Sequence, residues 1–349
     1  MGGGSWSIGS YKARVSATAA AGRDTFDYSH SVRSGRASGI NPLLDPVQKA
    51  GPGSPFAGQV MREVCVTDEH SDPTSIQVWL DVTGSNIEAA RTVHSKLPQL
   101  QAYLRDGNFC ADPQINVGAI GDATSDDYPL QWGQYESDNR LDDQIAALIL
   151  EGCGGGQNRE TYELGAYMSA RHTYLEPYEL FGKKGFVFFF GDEMPYDAIQ
   201  NDYSRYHWDE RGHTLESLTG DNLSEPLDSA VVFAELKQKN HVFFLFQKQG
   251  SYEPKEITPA WERLIGKENV IILDDPAASV EAIAALIARF EGDLDVDATE
   301  RAMLGAGGDE VAVGKALAAI KHTGVISKKA AVAKATGRLD ITGGGADRL

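Results

Sequence analysis

The stretch from Ile76 to Asn86, IQVWLDVTGSN, joins an apolar run to a short polar turn. The acid Asp81 ends the apolar run, and two hydroxyl side chains, Thr83 and Ser85, follow at steps of two. A continuous apolar run bounded by polar residues predicts a buried strand. Because ligands of open α/β sheets bind beyond the carboxyl ends of the strands, we expect this turn to hold a ligand.

Further acids and hydroxyls lie near the ends of two other apolar runs and in the Gly-rich loop GCGGGQNRET. They are Asp122, Glu160, Thr161, Asp192 and Glu193. The carboxyl ends of parallel strands meet at one edge of a sheet, so we expect these side chains to lie close to the turn. Carboxylate and hydroxyl oxygens are the ligands of hard divalent cations such as Mg²⁺ or Mn²⁺. The sequence therefore predicts an all-oxygen metal site.

Strand-like runs alternate with helix-period segments from Ser75 onward, which is typical of a parallel sheet with crossover helices. The predicted buried strands are residues 76–82, 114–120, 185–195, 241–247 and 269–275, with a short edge strand at 129–135. The predicted helices include residues 86–106, 141–152 and 279–292. We therefore predict a doubly wound, mostly parallel α/β sheet of about six strands with helices on both faces.

Three regions differ in composition. Residues 1–72 are rich in Gly, Ser and Pro, which predicts an extension with little regular structure. Residues 73–292 hold the predicted sheet domain. Residues 293–349 are rich in Ala and Lys and predict a solvated tail with one or two short helices.

The overall composition and charge of the chain argue against several classes of partner and site. The chain has 349 residues and a formal net charge of −18, which argues against nucleic-acid or anionic-membrane partners. Three widely spaced cysteines predict neither a disulfide framework nor a zinc site. We expect no secretory signal at the N-terminus and no membrane helix, since no apolar run approaches about 20 residues. A cytoplasmic location is the resulting expectation.

The motif DVTGSN resembles the DxSxS or DxTGS turn of von Willebrand factor A domains, where it forms the metal-ion-dependent adhesion site. The resemblance implies a Rossmann-like fold over residues 75–290, with Asp81, Thr83 and Ser85 as first-loop ligands. It implies Glu160 or Thr161 from the second loop, Asp192 from the third, and Asp122 where related bacterial members carry an acid. The order of these motifs is similar to that of an uncharacterised bacterial and phage group, which implies a phage-associated location as the alternative to a cytoplasmic one.

The resemblance also implies a function. Domains of this family bind proteins without catalysis, and an Asp or Glu of the partner completes the shell of the Mg²⁺ or Mn²⁺ ion. Family members inside bacteria often work with AAA+ ATPases or in larger assemblies. Residues around the metal would shape the choice of partner, and they are Asn86, Gln157, Asn158, Glu193 and Tyr196.

Two alternatives explain the same residues differently. The turn also resembles that of haloacid-dehalogenase-like phosphatases, in which Asp81 would be a nucleophile and Lys183 or Lys184 would stabilise the transferred phosphoryl group. In the second alternative the domain binds no metal, and Asp81 and Ser85 only cap the following helix.

Overall fold

The computed structural model describes residues 4–152, 158–203, 212–248, 252–321 and 323. The strands are β1 Arg62–Val64, β2 Thr74–Asp81, β3 Pro113–Ile120, β4 Leu130–Trp132, β5 Arg159–Glu160, β6 Thr173–Leu175, β7 Gly185–Gly191, β8 Met194–Pro195, β9 Ala198–Ile199, β10 Leu227–Asp228, β11 Asn240–Gln247 and β12 Val270–Leu273. The α-helices are α1 Ile8–Ala20, α2 Asp27–Arg33, α3 Ile87–Ser95, α4 Leu97–Gln101, α5 Arg140–Ala146, α6 Tyr162–Arg171, α7 Glu176–Phe181, α8 Leu215–Thr219, α9 Ser229–Lys239, α10 Pro254–Ile265, α11 Ser279–Phe290, α12 Val296–Gly305 and α13 Glu310–Ile320.

Six strands form the central sheet in the order β12-β11-β7-β2-β3-β4. Neighbours pair in parallel except β4, which runs antiparallel to β3 at one edge. Numbered along the chain, this order is 3-2-1-4-5-6, the order of a doubly wound Rossmann sheet. The predicted fold class is therefore confirmed, including the short edge strand.

Each face of the sheet has its own hydrophobic core, because successive side chains of a strand point to opposite faces. In β2, Val78 and Leu80 pack into one core, while Trp79 packs into the other. Helices α3, α4 and α11 cover the first core, and helices α6, α9 and α10 cover the second. Burial on both faces explains why these strands have continuous apolar sequences.

The predicted helix over residues 141–152 is too long. Helix α5 ends at Ala146. Beyond α5, the side-chain amide of Gln131 on β4 binds the backbone of Ile149 in place of helical hydrogen bonds. The amide oxygen accepts from the N–H of Ile149 at 2.8 Å, and the amide nitrogen donates to the carbonyl of Ile149 at 2.9 Å. This contact spans 18 residues, so the local helical pattern of the sequence does not reveal it.

The prediction of little regular structure in residues 1–72 is wrong for the first part of this extension, which contains helices α1 and α2. Two aromatic side chains fix these helices to the sheet domain. Phe26 is buried in the first core, and the indole N–H of Trp6 donates to Asp142 at 2.8 Å. The side chain of Ser7 caps α1 by accepting from the N–H of Ser10.

The predicted short helices of the C-terminal tail are confirmed as α12 and α13, but the prediction that they are solvated is wrong. Met303, Val313 and Ile320 are buried in the first core beside α11. Residues 324–349 lie outside the described part of the chain. Within the described part, no helix is both long enough and apolar enough to cross a membrane.

Arg62 holds the N-terminal extension against the edge of the sheet. Its guanidinium is fully buried and donates to backbone carbonyls, among them those of Asp45, Gln48 and Gly133 at 2.8–2.9 Å. It also lies 4.4 Å from the ring centroid of Trp132. One buried side chain therefore satisfies carbonyls from two segments, the turn at residues 45–48 and the end of β4.

We predict that Arg62→Met lowers the free energy of unfolding by about 3 kcal/mol, since several buried carbonyls lose a charged donor. Urea unfolding monitored by circular dichroism measures this change. The exposed Arg36 is the matched control, and we expect Arg36→Met to change stability by less than about 0.5 kcal/mol. Equal losses in both variants would contradict this role of Arg62.

We expect the stability of the contact between the N-terminal helices and the sheet domain to depend on pH through His94. Its ring lies against Tyr11 and Phe26, and burial lowers its pKa to about 4 despite the opposing charge of Asp24. The unfolded chain, with a histidine pKa of about 6.5, therefore binds this proton more readily than the folded chain. Stability is present at neutral pH and is lost as the pH falls from about 6.5 toward 4.

We predict that His94→Gln removes about 2 kcal/mol of the stability loss between pH 7 and pH 4.5. Urea unfolding at both pH values measures the difference from wild type. His30→Gln is the control at an exposed histidine, and an equal effect in this variant would contradict the role of His94.

Candidate functional site

Asp81 is buried at the carboxyl end of β2, where the chain enters a tight turn. Its Oδ1 accepts from the backbone N–H of Thr83 at 2.9 Å and from the Thr83 hydroxyl at 2.7 Å. Its Oδ2 accepts from the amide of Asn86 at 3.0 Å and from the phenol of Tyr162 at 2.8 Å. Gly84 has a φ of +41°, a left-handed conformation that favours glycine at this point of the turn.

Asp192 directly follows β7 and lies near Asp81. The side-chain amide of Asn86 donates to both Asp81 and Asp192, so it bridges the ends of β2 and β7. These two strands are neighbours at the point where the strand order reverses, which is where doubly wound folds bind ligands. A Cβ on Gly191 would lie 1.7 Å from the phenol oxygen of Tyr162, so glycine is required there for Tyr162 to reach Asp81.

Glu160 is the second-loop residue that contacts the turn. Its Oε1 lies 3.1 Å from the hydroxyl of Thr83. Thr161 is buried beside it, but its hydroxyl donates to the carbonyl of Gly121 at 2.5 Å. The structure therefore brings Glu160 together with Asp81 and Thr83, and directs the Thr161 hydroxyl toward the end of β3.

Glu160 and Glu193 face each other. Their carboxylates are close enough to share a hydrogen bond if one of them holds a proton. Among the described residues, however, neither Oε2 atom has a hydrogen-bond donor, and the buried Oδ1 of Asn86 has none either. Buried oxygens without donors are uncommon in folded proteins, and an ion is one explanation for them.

Asp122 belongs to a neighbouring group. Its Oδ1 accepts from the N–H and the hydroxyl of Thr124, both at 2.8 Å, and its Oδ2 accepts from the phenol of Tyr196 at 3.1 Å. Asp126 accepts from the N–H of Asp122 at 2.6 Å. The charge of Asp122 acts on Glu160 and Glu193, so this group lies beside the first one.

The remaining predicted residues are Ser85, Gln157 and Asn158. Ser85 lies in the 3₁₀ turn Gly84–Asn86, but its side chain is outside the described part of the structure. Gln157 lies outside the described residues altogether. Asn158 is half-buried, and its backbone carbonyl accepts from the N–H of Met194 at 3.0 Å.

The electrostatics of the site favour neutralisation of its acids. Burial raises the pKa of Asp81 to about 7 and that of Glu193 to about 8. Burial also raises the pKa of Glu160 well above its usual range, and the charges of Asp81 and Glu193 add to this effect. Like charges at close range in a low dielectric repel one another, so protons or a cation must reduce the charge.

The donor set suits a hard divalent cation, because it consists of carboxylate, hydroxyl and amide oxygens, some without donors. In the described ranges, no three His, Cys, Asp or Glu side chains are already arranged as a metal-binding group. Mg²⁺ needs only one or two carboxylates and keeps several waters, so a smaller set meets its requirements.

Two residues of the site, Tyr162 and Gly191, were not predicted from the sequence. Tyr162 donates to Asp81, and Gly191 makes room for it. Tyr162 directly follows Glu160 and Thr161, so the sequence places it near the site. Its role was not predicted, because a tyrosine in an apolar helix is usually a core residue. Asn86 was predicted to contact a partner, whereas its amide joins the two carboxylates.

The structure contradicts the lysine roles of the phosphatase alternative and the capping role of Asp81 in the metal-free alternative. Lys183 donates to Asp72 and Lys184 to the carbonyl of Lys237, before β7 begins and at the opposite end of that strand from Asp192. They do not reach a phosphoryl group on Asp81, so their predicted role is wrong. The predicted capping by Asp81 is also wrong, since its carboxylate binds Thr83 and α3 has no side-chain cap hydrogen bond at its N-cap.

Comparison with known proteins finds fold likeness only. No family model matches the chain, and no curated protein is similar to it. The chain is similar to the pilus adhesin SpaC of Lactobacillus rhamnosus GG, with 12% identity, a TM-score of 0.42 and coverage of 69% of this chain and 31% of that one. It is also similar to the vWF domain of the type V pili tip protein Mfa5 of Porphyromonas gingivalis, with 12% identity, a TM-score of 0.39 and coverage of 62% and 95%.

A third similar structure is proximal thread matrix protein 1 from the mussel byssus, with 11% identity, a TM-score of 0.39 and coverage of 62% of this chain and 47% of that one. The chain thus spans about a third of SpaC and about half of the byssus protein. At these scores the likenesses carry no information on function.

We predict that Gly191→Ala lowers the free energy of unfolding by about 3 kcal/mol, because the new methyl group displaces the phenol of Tyr162 from Asp81. In the Tyr162→Phe background the same substitution should cost less, since the displaced hydrogen bond is already gone. A double-mutant cycle by urea unfolding measures this coupling. Gly51→Ala is the control, because a Cβ there meets no atom within 4 Å. Additive costs would contradict the contact.

Proposed function

We propose that this chain is a von Willebrand factor A-like domain that binds a protein partner through a divalent cation, Mg²⁺ or Mn²⁺. An Asp or Glu of the partner completes the metal shell, and no reaction is catalysed. Cation binding explains why acidic side chains gather at this edge of the sheet, whereas helix capping and core packing do not.

One observation carries this proposal. Buried carboxylates from β2, β5 and the end of β7 meet at the switch point of the sheet. Two oxygens at this edge, Oε2 of Glu160 and Oε2 of Glu193, have no donor among the described residues. Burying like charges without compensation is costly. Such an arrangement is favourable when a cation is bound and unfavourable without one, which is typical of a metal site.

The residues proposed to hold the cation are Asp81, Thr83, Ser85, Asp192 and Glu160, with Thr161 and Asp122 beside them. When bound, the cation supplies positive charge at a surface that otherwise repels acidic groups, since the chain carries a net charge of −18. Asn158, Glu193 and Tyr196 lie around the same edge and are proposed to select the partner.

The test is calorimetric titration of the full chain with Mg²⁺ and Mn²⁺, in wild type and in Asp81→Asn. We expect wild type to bind and the variant to lose about tenfold or more in affinity. The exposed acid Asp197 provides the matched control, and Asp197→Asn should bind as wild type does.

Hydrolysis of p-nitrophenyl phosphate is measured on the same samples. We expect no turnover above background. Turnover that disappears in Asp81→Asn would replace this proposal with a phosphatase, and absence of metal binding in wild type would remove the metal from it.

A further inference from the structure

We propose that the cavity between the N-terminal extension and the β4 edge of the sheet binds a free α-amino acid, with its ammonium group on Glu63 and its carboxylate on Lys49 and Arg140. The cavity has a volume of about 340 Å³, and these three side chains line it. Small-molecule sites in proteins measure roughly 300–1,000 Å³.

The cavity is separate from the proposed cation site. Its lining residue Glu136 pairs with Ile115 near the start of β3, whereas Asp81 pairs with Ile120 at the end of that strand. The two sites therefore lie toward opposite ends of the strands, and this inference does not depend on the proposed function.

Buried polar side chains form the floor of the cavity. Glu136 and Gln144 both line it and are only 7% and 2% exposed. The amide of Gln144 donates to Glu136 at 3.2 Å and accepts from the backbone N–H of Gln134 at 3.1 Å. A Cβ on Gly133 would lie 1.9 Å from Oε1 of Gln144, so glycine is required there for this contact. The floor is therefore fixed before a ligand binds, which lowers the entropic cost of binding.

Two cationic side chains at the cavity keep donors available for a carboxylate. Arg140 is held by two acids, because its Nη2 contacts Glu136 at 2.6 Å and its Nε donates to Asp138 at 3.0 Å. Its Nη1 has no acceptor among the described residues, and neither has the ammonium group of the exposed Lys49. The backbone of Lys49 is fixed by an antiparallel bridge to Val60. Guanidinium and ammonium groups form strong hydrogen bonds with carboxylates.

Glu63 supplies the opposite charge. Its backbone belongs to β1, and its Oε2 accepts from the hydroxyl of Ser54 at 2.8 Å. Its Oε1 has no donor within the described part of the chain. A primary ammonium group has three protons and no acceptor, so it matches this carboxylate oxygen.

The charges at the cavity favour a zwitterion. Among the described residues that line it, two side chains are acids and two are bases, so the lining is neutral overall. A ligand with a single charge would compensate only one sign of free group, whereas an α-amino acid carries one charge of each sign. Leu43 and Met61 add apolar surface to the lining, which suits an amino acid with an apolar side chain.

The test is calorimetric titration of the full chain with L-leucine in a buffer without divalent cations. Leucinamide lacks the carboxylate of this ligand, and N-acetyl-leucine lacks its ammonium group. We expect leucine to bind and each analogue to bind about tenfold or more weakly, since each loses a hydrogen bond between charged groups. An analogue that binds as tightly as leucine, or no binding of leucine, would overturn the inference.

Two substitutions test the individual contacts. Glu63→Gln should weaken leucine binding by about tenfold without weakening that of N-acetyl-leucine, because this analogue has no ammonium group. Lys49→Gln should weaken leucine binding without weakening that of leucinamide, which has no carboxylate. The exposed Glu225 and Lys255 provide the matched controls, and Glu225→Gln and Lys255→Gln should bind leucine as wild type does. Thermal unfolding verifies that each variant is folded, and equal losses for leucine and the analogue in either variant would overturn the assigned contacts.

Discussion

The burial of the Asp81 carboxylate is the constraint on which the rest of the site depends. An ionised group in the interior is tolerated only when donors surround it. Those donors come from the turn after β2, from Asn86 before α3 and from Tyr162 at the start of α6. The turn sequence supplies Thr83 and Asn86 as donors to this carboxylate, and the absence of a side chain at Gly191 leaves room for the phenol of Tyr162.

The strand order explains why acids collect at this edge. After β2 the chain enters α3, which packs into the core on one face, and after β7 it continues to α9, which packs into the core on the other face. The two connections diverge beyond the ends of β2 and β7, which is where doubly wound folds bind ligands. The polar side chains buried there lie outside the hydrophobic cores of both faces.

Much of the fold was predictable because its signals are local. Apolar runs such as β7 and β11 identify buried strands without knowledge of their neighbours. The gathering of Asp81 and Asp192 was predictable as well, because carboxyl ends of parallel strands share an edge. The end of α5 and the packing of α1 were not, because they depend on Gln131 and Trp6, which act across 18 and 136 residues.

The roles of residues within the site were harder to predict than their presence, for a physical reason. A motif such as DVTGSN specifies which atoms are available but not how many donors each atom already has. Thr83 and Tyr162 donate to Asp81, whereas Glu160 lies two residues from Tyr162 and keeps a free oxygen. Whether a carboxylate ligates a cation or supports another ligand is therefore decided by hydrogen-bond accounting, which requires the three-dimensional arrangement of several loops.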